Sequence, residues 1–306
     1  MGGDEEVDAE LDAVVVGSGP NGLAAAITLA REGHTVQVVE AADQVGGGLR
    51  SAELTGPGLT HDICSTIHAL GAGSPFFRSL PLEEHGLEWV HPDLPLAHPL
   101  DAHRAILLHR SVEETAVGLG ADGDEYRRLI GSVTERWDRL EASVLGPMLR
   151  LPSHPVELAR FGVRALVPAT MTARRFETEG AAALFSGCAA HVFTPLNRPL
   201  TSAFGLVLPT LAHLHGWPYA RGGSQSLADA LTGYLLGLGG KVETGRLITD
   251  LTQLPPARVI LADVSPRALA GLLEGRVPEA MLKPYRRFRR GPGVFKVDYA
   301  LSEPVP

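Results

Sequence analysis

Three glycines at fixed spacing, Gly17, Gly19 and Gly22, stand directly after the apolar β-branched run Val14, Val15 and Val16. In that spacing the first glycine permits a tight turn, the second lets backbone approach a pyrophosphate, and the third lets a helix pack closely on a strand. Each role needs the absence of a Cβ. A helix predicted from about Asn21 to Arg31 puts Leu23, Ile27 and Ala30 on one stripe, and Gly33 stops it. Its N-terminus offers unpaired N–H groups and roughly +0.5 of an elementary charge, which suits a diphosphate. A second strand, Val36 to Val39, ends on Glu40, 18 positions after Gly22. That offset is near the roughly 20 residues expected of an acid that takes ribose hydroxyls, and an acid there disfavours a 2′-phosphate. Strand, turn, helix, strand and acid in this order define a dinucleotide site.

A second glycine turn, Gly46, Gly47 and Gly48 followed by Leu49, Arg50 and Ser51, begins six residues after Glu40. It gives backbone a second close approach to the same ligand. The combination resembles the flavin-dependent amine oxidase and phytoene desaturase superfamily. The likeness continues from His61 to Asp101 and through GWPYARGGSQSLADAL, Gly216 to Leu231. These segments are similar to the phytoene dehydrogenase-related oxidoreductases, the group that includes the pyridine nucleotide-disulfide oxidoreductase domain-containing protein 2 type. The resemblance implies FAD as cofactor. It places Gly17, Ser18, Gly19, Pro20, Asn21, Gly22, Glu40, Ala41, Gly47, Gly48, Leu49 and Arg50 along it, and GGKVETGRLITDL resembles the strand pair that brings backbone, here around Leu247 and Ile248, against the adenine end. Arg50 is expected to neutralise phosphate.

Catalytic residues are less legible. No Ser-His-Asp order or paired-carboxylate spacing stands out, and flavin chemistry itself needs no dedicated acid–base pair. His68, in a segment with Asp62 and Ser65 that resembles one passing the flavin, is a weak candidate for a polar role at the ring. Cys64 and Cys188 are the two cysteines, far apart, so no C-x-x-C exists and a dithiol–disulfide mechanism is excluded. No metal site is indicated, and His213 and His215 read as packed or surface residues.

The fold expected is α/β: a Rossmann-like FAD-binding domain with an interleaved α+β substrate or cap domain, of the glutathione reductase and amine oxidase type. The segments are a tail over 1–10, FAD-binding segments over 11–75 and 216–270, a cap over 76–215, and an incomplete substrate segment over 271–306. Ser111 with Glu114 reads as a capping box, and Leu129, Val133, Trp137 and Leu140 share a helical face. Pro147, Pro152 and Pro155 break the cap helices before a short helix around Val156 to Leu166. Ser226 reads as the N-cap of a helix from about Leu227. ARVILADVSP, Ala257 to Pro266, reads as a further buried strand, and GPGVFKVDYALSEPVP has strand-like alternation. The superfamily continues with a segment that completes the flavin site, so the chain is expected to lack a C-terminal part.

A formal charge of −8 disfavours nucleic acid as a partner. Lys283, Arg286, Arg287, Arg289 and Arg290 oppose that balance and read as a solvated face, with peripheral membrane contact left open. The acidic N-terminus carries no secretory or transit pattern, so a cytoplasmic location is the expectation. Pro199 to Ala220 is an uncharged run of 22 residues, long enough to span a bilayer, but Gly205, Pro209, Thr210, His213, His215 and Gly216 interrupt it. It is expected instead to wall a pocket for a hydrophobic small-molecule substrate. The function expected is hydride transfer from such a substrate to flavin N5. Alternatives are an NAD-dependent dehydrogenase and a non-catalytic binder with the architecture of Rab GDP-dissociation inhibitors. Assembly as a homo-oligomer is left open.

Overall fold

The computed structural model describes residues 10–146 and 151–303, so the expectations for the tail and for the break at 147 lie outside the described residues. Its strands are β1 (Leu11–Val16), β2 (Val36–Val39), β3 (Ser51–Glu53), β4 (Thr60–Asp62), β5 (Trp89–Val90), β6 (Leu96–Pro99), β7 (Ala105–Leu108), β8 (Tyr219–Ala220), β9 (Lys241–Glu243) and β10 (Ala257–Ala262). The helices that matter for the site are α1 (Pro20–Arg31), α2 (Glu179–Ala190), α3 (Ser202–His215), α4 (Gln225–Gly237) and α5 (Pro266–Leu272).

A fully parallel sheet, ordered β10-β1-β2-β9, forms the half that carries the first glycine turn. The valines of β1 serve both faces, as the period of two requires. Val15, with Ala13, meets Leu23 and Ile27 of α1 and Leu227, Leu231 and Leu235 of α4. Val14 and Val16 meet Ile248, Leu254 and Leu272 on the other side. The expected α/β architecture is therefore present, and its sheet draws strands from opposite ends of the chain. In the cap, Leu129, Val133, Trp137 and Leu140 are all buried together with α2 and α3. Those two helices cross closely at Gly205, where a Cβ would lie 2.6 Å from the Phe185 ring.

Several expectations need correction. β10 joins the sheet, but Val259 and Ile260 are 50% and 39% exposed, because this strand is an edge with β1 alone as neighbour. A buried apolar run and an edge strand read alike in sequence. No second strand follows β9 around Leu247, and residues 291–301 pair with no strand. Ser111 Oγ accepts from Glu114 N at 3.2 Å, yet no reciprocal Glu114 bond is present, so only half of the capping box forms. α4 starts at Gln225, and Ser226 Oγ instead donates to Arg221 O. Among the described residues no helix is long and apolar enough to cross a membrane; the uncharged run supplies the 14-residue α3.

The glycine turn is held by backbone passing backbone. A Cβ on Gly22 would sit 2.2 Å from Gly17 O, whereas one on Gly33, at φ +85°, meets nothing within 4 Å. Gly22→Ala is therefore expected to destabilise by about 3 kcal/mol through a clash that no rotamer relieves. Gly33→Ala should cost only about 1 kcal/mol, for its left-handed backbone. Urea unfolding of both variants checks the order.

Candidate functional site

The carboxyl ends of β1, β2 and β10 open into a cleft of about 510 Å³, the position where parallel α/β sheets receive ligands. Gly17, Ser18, Gly19, Glu40, Ala41, Gly47 and Ile248 all line it. Gly17, at φ +104°, lies so near β10 that a Cβ would be 2.4 Å from Asp263 O. Gly47, at φ +55°, lies against the first turn, with room for a Cβ only 3.1 Å from Gly19 Cα. The two glycine turns thus form one continuous backbone wall.

Glu40 is held at the end of β2 by Ser18, whose N–H and Oγ both donate to Oε2, at 2.8 and 2.6 Å. Ala42 N donates to Oε1 at 2.9 Å. Burial pushes the Glu40 carboxyl up, but the bonds from Ser18 and Ala42, with the Arg50 charge, outweigh it and hold the group below its usual range. A carboxylate oxygen accepts more than one bond, so Oε1 retains capacity for a ribose hydroxyl. Ser18 is fully buried and also anchors the second turn, since Gly46 N donates to both Ser18 O and Ser18 Oγ.

Other expected residues stand beside the cleft without lining it. Pro20 occupies the first turn of α1, where its missing N–H costs nothing, and Asn21 is exposed. Gly22 N donates to Asp263 Oδ2 at 2.8 Å, so that amide is already satisfied. Leu49 is buried in the core, Gly48 lies near Cys64, and Arg50 Nε donates to Gly47 O, bracing the turn. Leu247 lines the cleft beside Ile248. Sequence reasoning missed Asp263, Arg246, Thr249 and Leu272 among the lining residues. The available signal for Asp263 was its place just past the carboxyl end of a strand parallel to β1.

A second group of expected residues is brought together around the N-terminus of α4. Ser51 and Asp62 face each other across β3 and β4, and Ser51 Oγ donates to Asp62 Oδ1 at 2.6 Å. The same oxygen accepts Ser224 N at 2.7 Å, so Asp62 supplies the helix start that Ser226 was expected to cap. Gly223 lets these groups meet, because a Cβ there would be 2.6 Å from Ser51 Oγ. Ser224 Oγ donates to Ser65 O at 2.5 Å and lies 2.7 Å from His68 Nε2. Burial pushes His68 below the usual histidine range, opposed by the Asp62 charge. His68 and Ser65 line a cavity of about 470 Å³ with Phe204, Leu208 and Trp217, so the uncharged run does wall a pocket. Ser65 N donates to Gly48 O at 3.0 Å, which joins this cavity to the second glycine turn. His213 is packed, against Tyr126 OH at 2.7 Å, and burial pushes the Cys188 thiol up to about 12.

Residues 15–80 match the family model of the NAD(P)-binding Rossmann-like domain. A limonene dehydrogenase polypeptide of Castellaniella defragrans is 31% identical over 124 residues, covering 39% of this chain and 22% of that protein. An oxidoreductase from Methanosarcina mazei superposes with a TM-score of 0.62 at 17% identity, over 89% of this chain and 63% of that one. Cyclohexylamine oxidase from Brevibacterium oxydans gives 0.54 at 14% identity, over 91% and 63%. The chain thus has the fold of oxidoreductases that include an amine oxidase, as the resemblance implied. It spans about a fifth of the limonene dehydrogenase polypeptide and less than two thirds of these solved chains.

Glu40 yields a pH dependence. Its folded value is depressed, so its stabilising bonds are fully present above the ordinary carboxylate range and are lost as pH falls through the lower, folded value. Binding of ADP, measured by calorimetry, should weaken over the same acid window. Glu40→Ala should weaken ADP binding at pH 7 by about tenfold or more, the scale of a hydrogen bond to a charged group.

Proposed function

We propose that this chain supplies the dinucleotide cleft and substrate cavity of an FAD-dependent oxidoreductase acting on an apolar small molecule. The observation that carries the reading is the contact of Gly47 with Gly19 beside Glu40. One glycine turn suffices for a nicotinamide dinucleotide. A second turn packed on the first extends the wall toward Ser65 and His68, which suits a ligand whose ring system lies beyond the pyrophosphate.

In this reading Glu40 Oε1 accepts a ribose hydroxyl, and Ile248 and Leu272 give the adenine end an apolar wall. With Ser18 N given to Glu40 and Gly22 N to Asp263, the Gly19 and Asn21 N–H groups are the first-turn donors left for the diphosphate among the described residues. Arg50 braces Gly47 and adds positive charge near Glu40. FAD, when bound, supplies the two-electron acceptor, so the chain's task is orientation and exclusion of water. The Phe204, Leu208 and Trp217 side of the cavity excludes water from an apolar substrate. The limonene dehydrogenase similarity supports an apolar substrate.

Calorimetry with FAD, NAD and ADP tests the assignment. FAD should bind more tightly than NAD, and Gly47→Val should erase that advantage while ADP binding survives. NAD binding more tightly than FAD, or Gly47→Val leaving the FAD preference intact, would overturn it.

A further inference from the structure

The cavity beside His68 has an unusual polar inventory. Among the described residues its lining contains no Asp, Glu, Lys or Arg, and its polar side-chain groups are those of Ser65, His68 and His191 and the Trp217 indole N–H. The hydrogen bonds fix which ring nitrogens carry protons. Ser224 has one hydroxyl hydrogen and gives it to Ser65 O, a carbonyl that can only accept. His68 Nε2 must therefore be the donor to Ser224 Oγ. In the neutral ring that leaves the lone pair on Nδ1, which has no protein partner among the described residues. His191 Nδ1 lies 3.1 and 3.2 Å from the carbonyls of Gly187 and Cys188, so it too donates and leaves Nε2 as the acceptor. The ring of His191 packs on Trp217 at a centroid distance of 6.1 Å.

The imidazole of His68 is held in place. His68 is 6% exposed and held by Ser224 at Nε2, by Pro218 O on its backbone N–H, and by the Trp89 ring 5.7 Å away. Phe193, also in the lining but 53% exposed, holds φ +51° in the turn that ends α2, where its N–H donates to Ala190 O.

We infer that the cavity selects a neutral, apolar substrate carrying a hydroxyl or N–H donor, received by His68 Nδ1, with His191 Nε2 as a second acceptor. This rests on reading the cavity as the substrate site. A charged ammonium loses its hydration on entering apolar walls and finds no carboxylate there to offset the loss. Asp62 does not line the cavity, and its Oδ1 accepts from Ser51 and Ser224. A hydrocarbon without a donor fills the space but leaves the buried His68 acceptor unpaired.

The test uses the full chain without added cofactor and three shape-matched probes: 4-tert-butylcyclohexanol, tert-butylcyclohexane and the 4-tert-butylcyclohexylammonium ion. Calorimetry should rank the alcohol about tenfold tighter than the hydrocarbon, with the ammonium weakest. His68→Phe should remove the alcohol's advantage and leave hydrocarbon binding within about threefold. Nitrogen-15 imidazole spectra of the unaltered chain should show His68 as the Nε2–H tautomer, and Ser224→Ala should mix the tautomers. Ammonium binding as tight as alcohol binding, an Nδ1–H tautomer at His68, or no binding of any probe would overturn the inference. Since no flavin is added, failure here is separable from failure of the FAD assignment.

Discussion

Backbone packed on backbone at the carboxyl ends of β1 and β10 is the constraint on which the site depends. Gly17 lies against the Asp263 carbonyl, Gly22 against the Gly17 carbonyl, and Gly47 against Gly19. The first two leave no space for a side chain, and the third admits a Cβ only if Gly19 gives way by a few tenths of an ångström. They set the entry angle of α1, bring Asp263 to the Gly22 amide, and seat the second turn beside the first. Glu40 then receives Ser18, whose burial follows from the same turn. The cleft is thus a consequence of close approach rather than of any strong single bond.

The second constraint works at a distance. Asp62 bridges Ser51 and the start of α4, and through Ser224 it orders Ser65 and His68. A buried carboxylate is tolerated here because each acceptor bond it makes is to a donor at a helix N-terminus or a facing strand. The same short network that starts α4 therefore fixes the imidazole that faces the apolar cavity. The helix start and the placement of His68 are served by one set of hydrogen bonds.

What was legible in sequence was local. Gly17, Gly19, Gly22 and Glu40 lie within 24 residues, and their spacing alone encodes strand, turn, helix and acid. The stripe of Leu129, Val133, Trp137 and Leu140 was legible for the same reason, because 3.6-residue periodicity is a local property. Asp263 was missed because its partner Gly22 is 241 residues away, and Ser224 because His68 is 156 residues away. Ser226 was misread as a cap because Asp62, far off in sequence, already fills that role. The exposure of β10 was invisible because the number of neighbours a strand has is a tertiary fact.

The central claim is that the two glycine turns act as one cradle for a ligand longer than adenosine diphosphate. Amide hydrogen exchange with FAD and with ADP tests it most directly. The account predicts that both ligands slow exchange at residues 17–22, 40–42 and 246–249, and that FAD alone also slows it at 46–51 and 64–68. Identical protection patterns for the two ligands would contradict it.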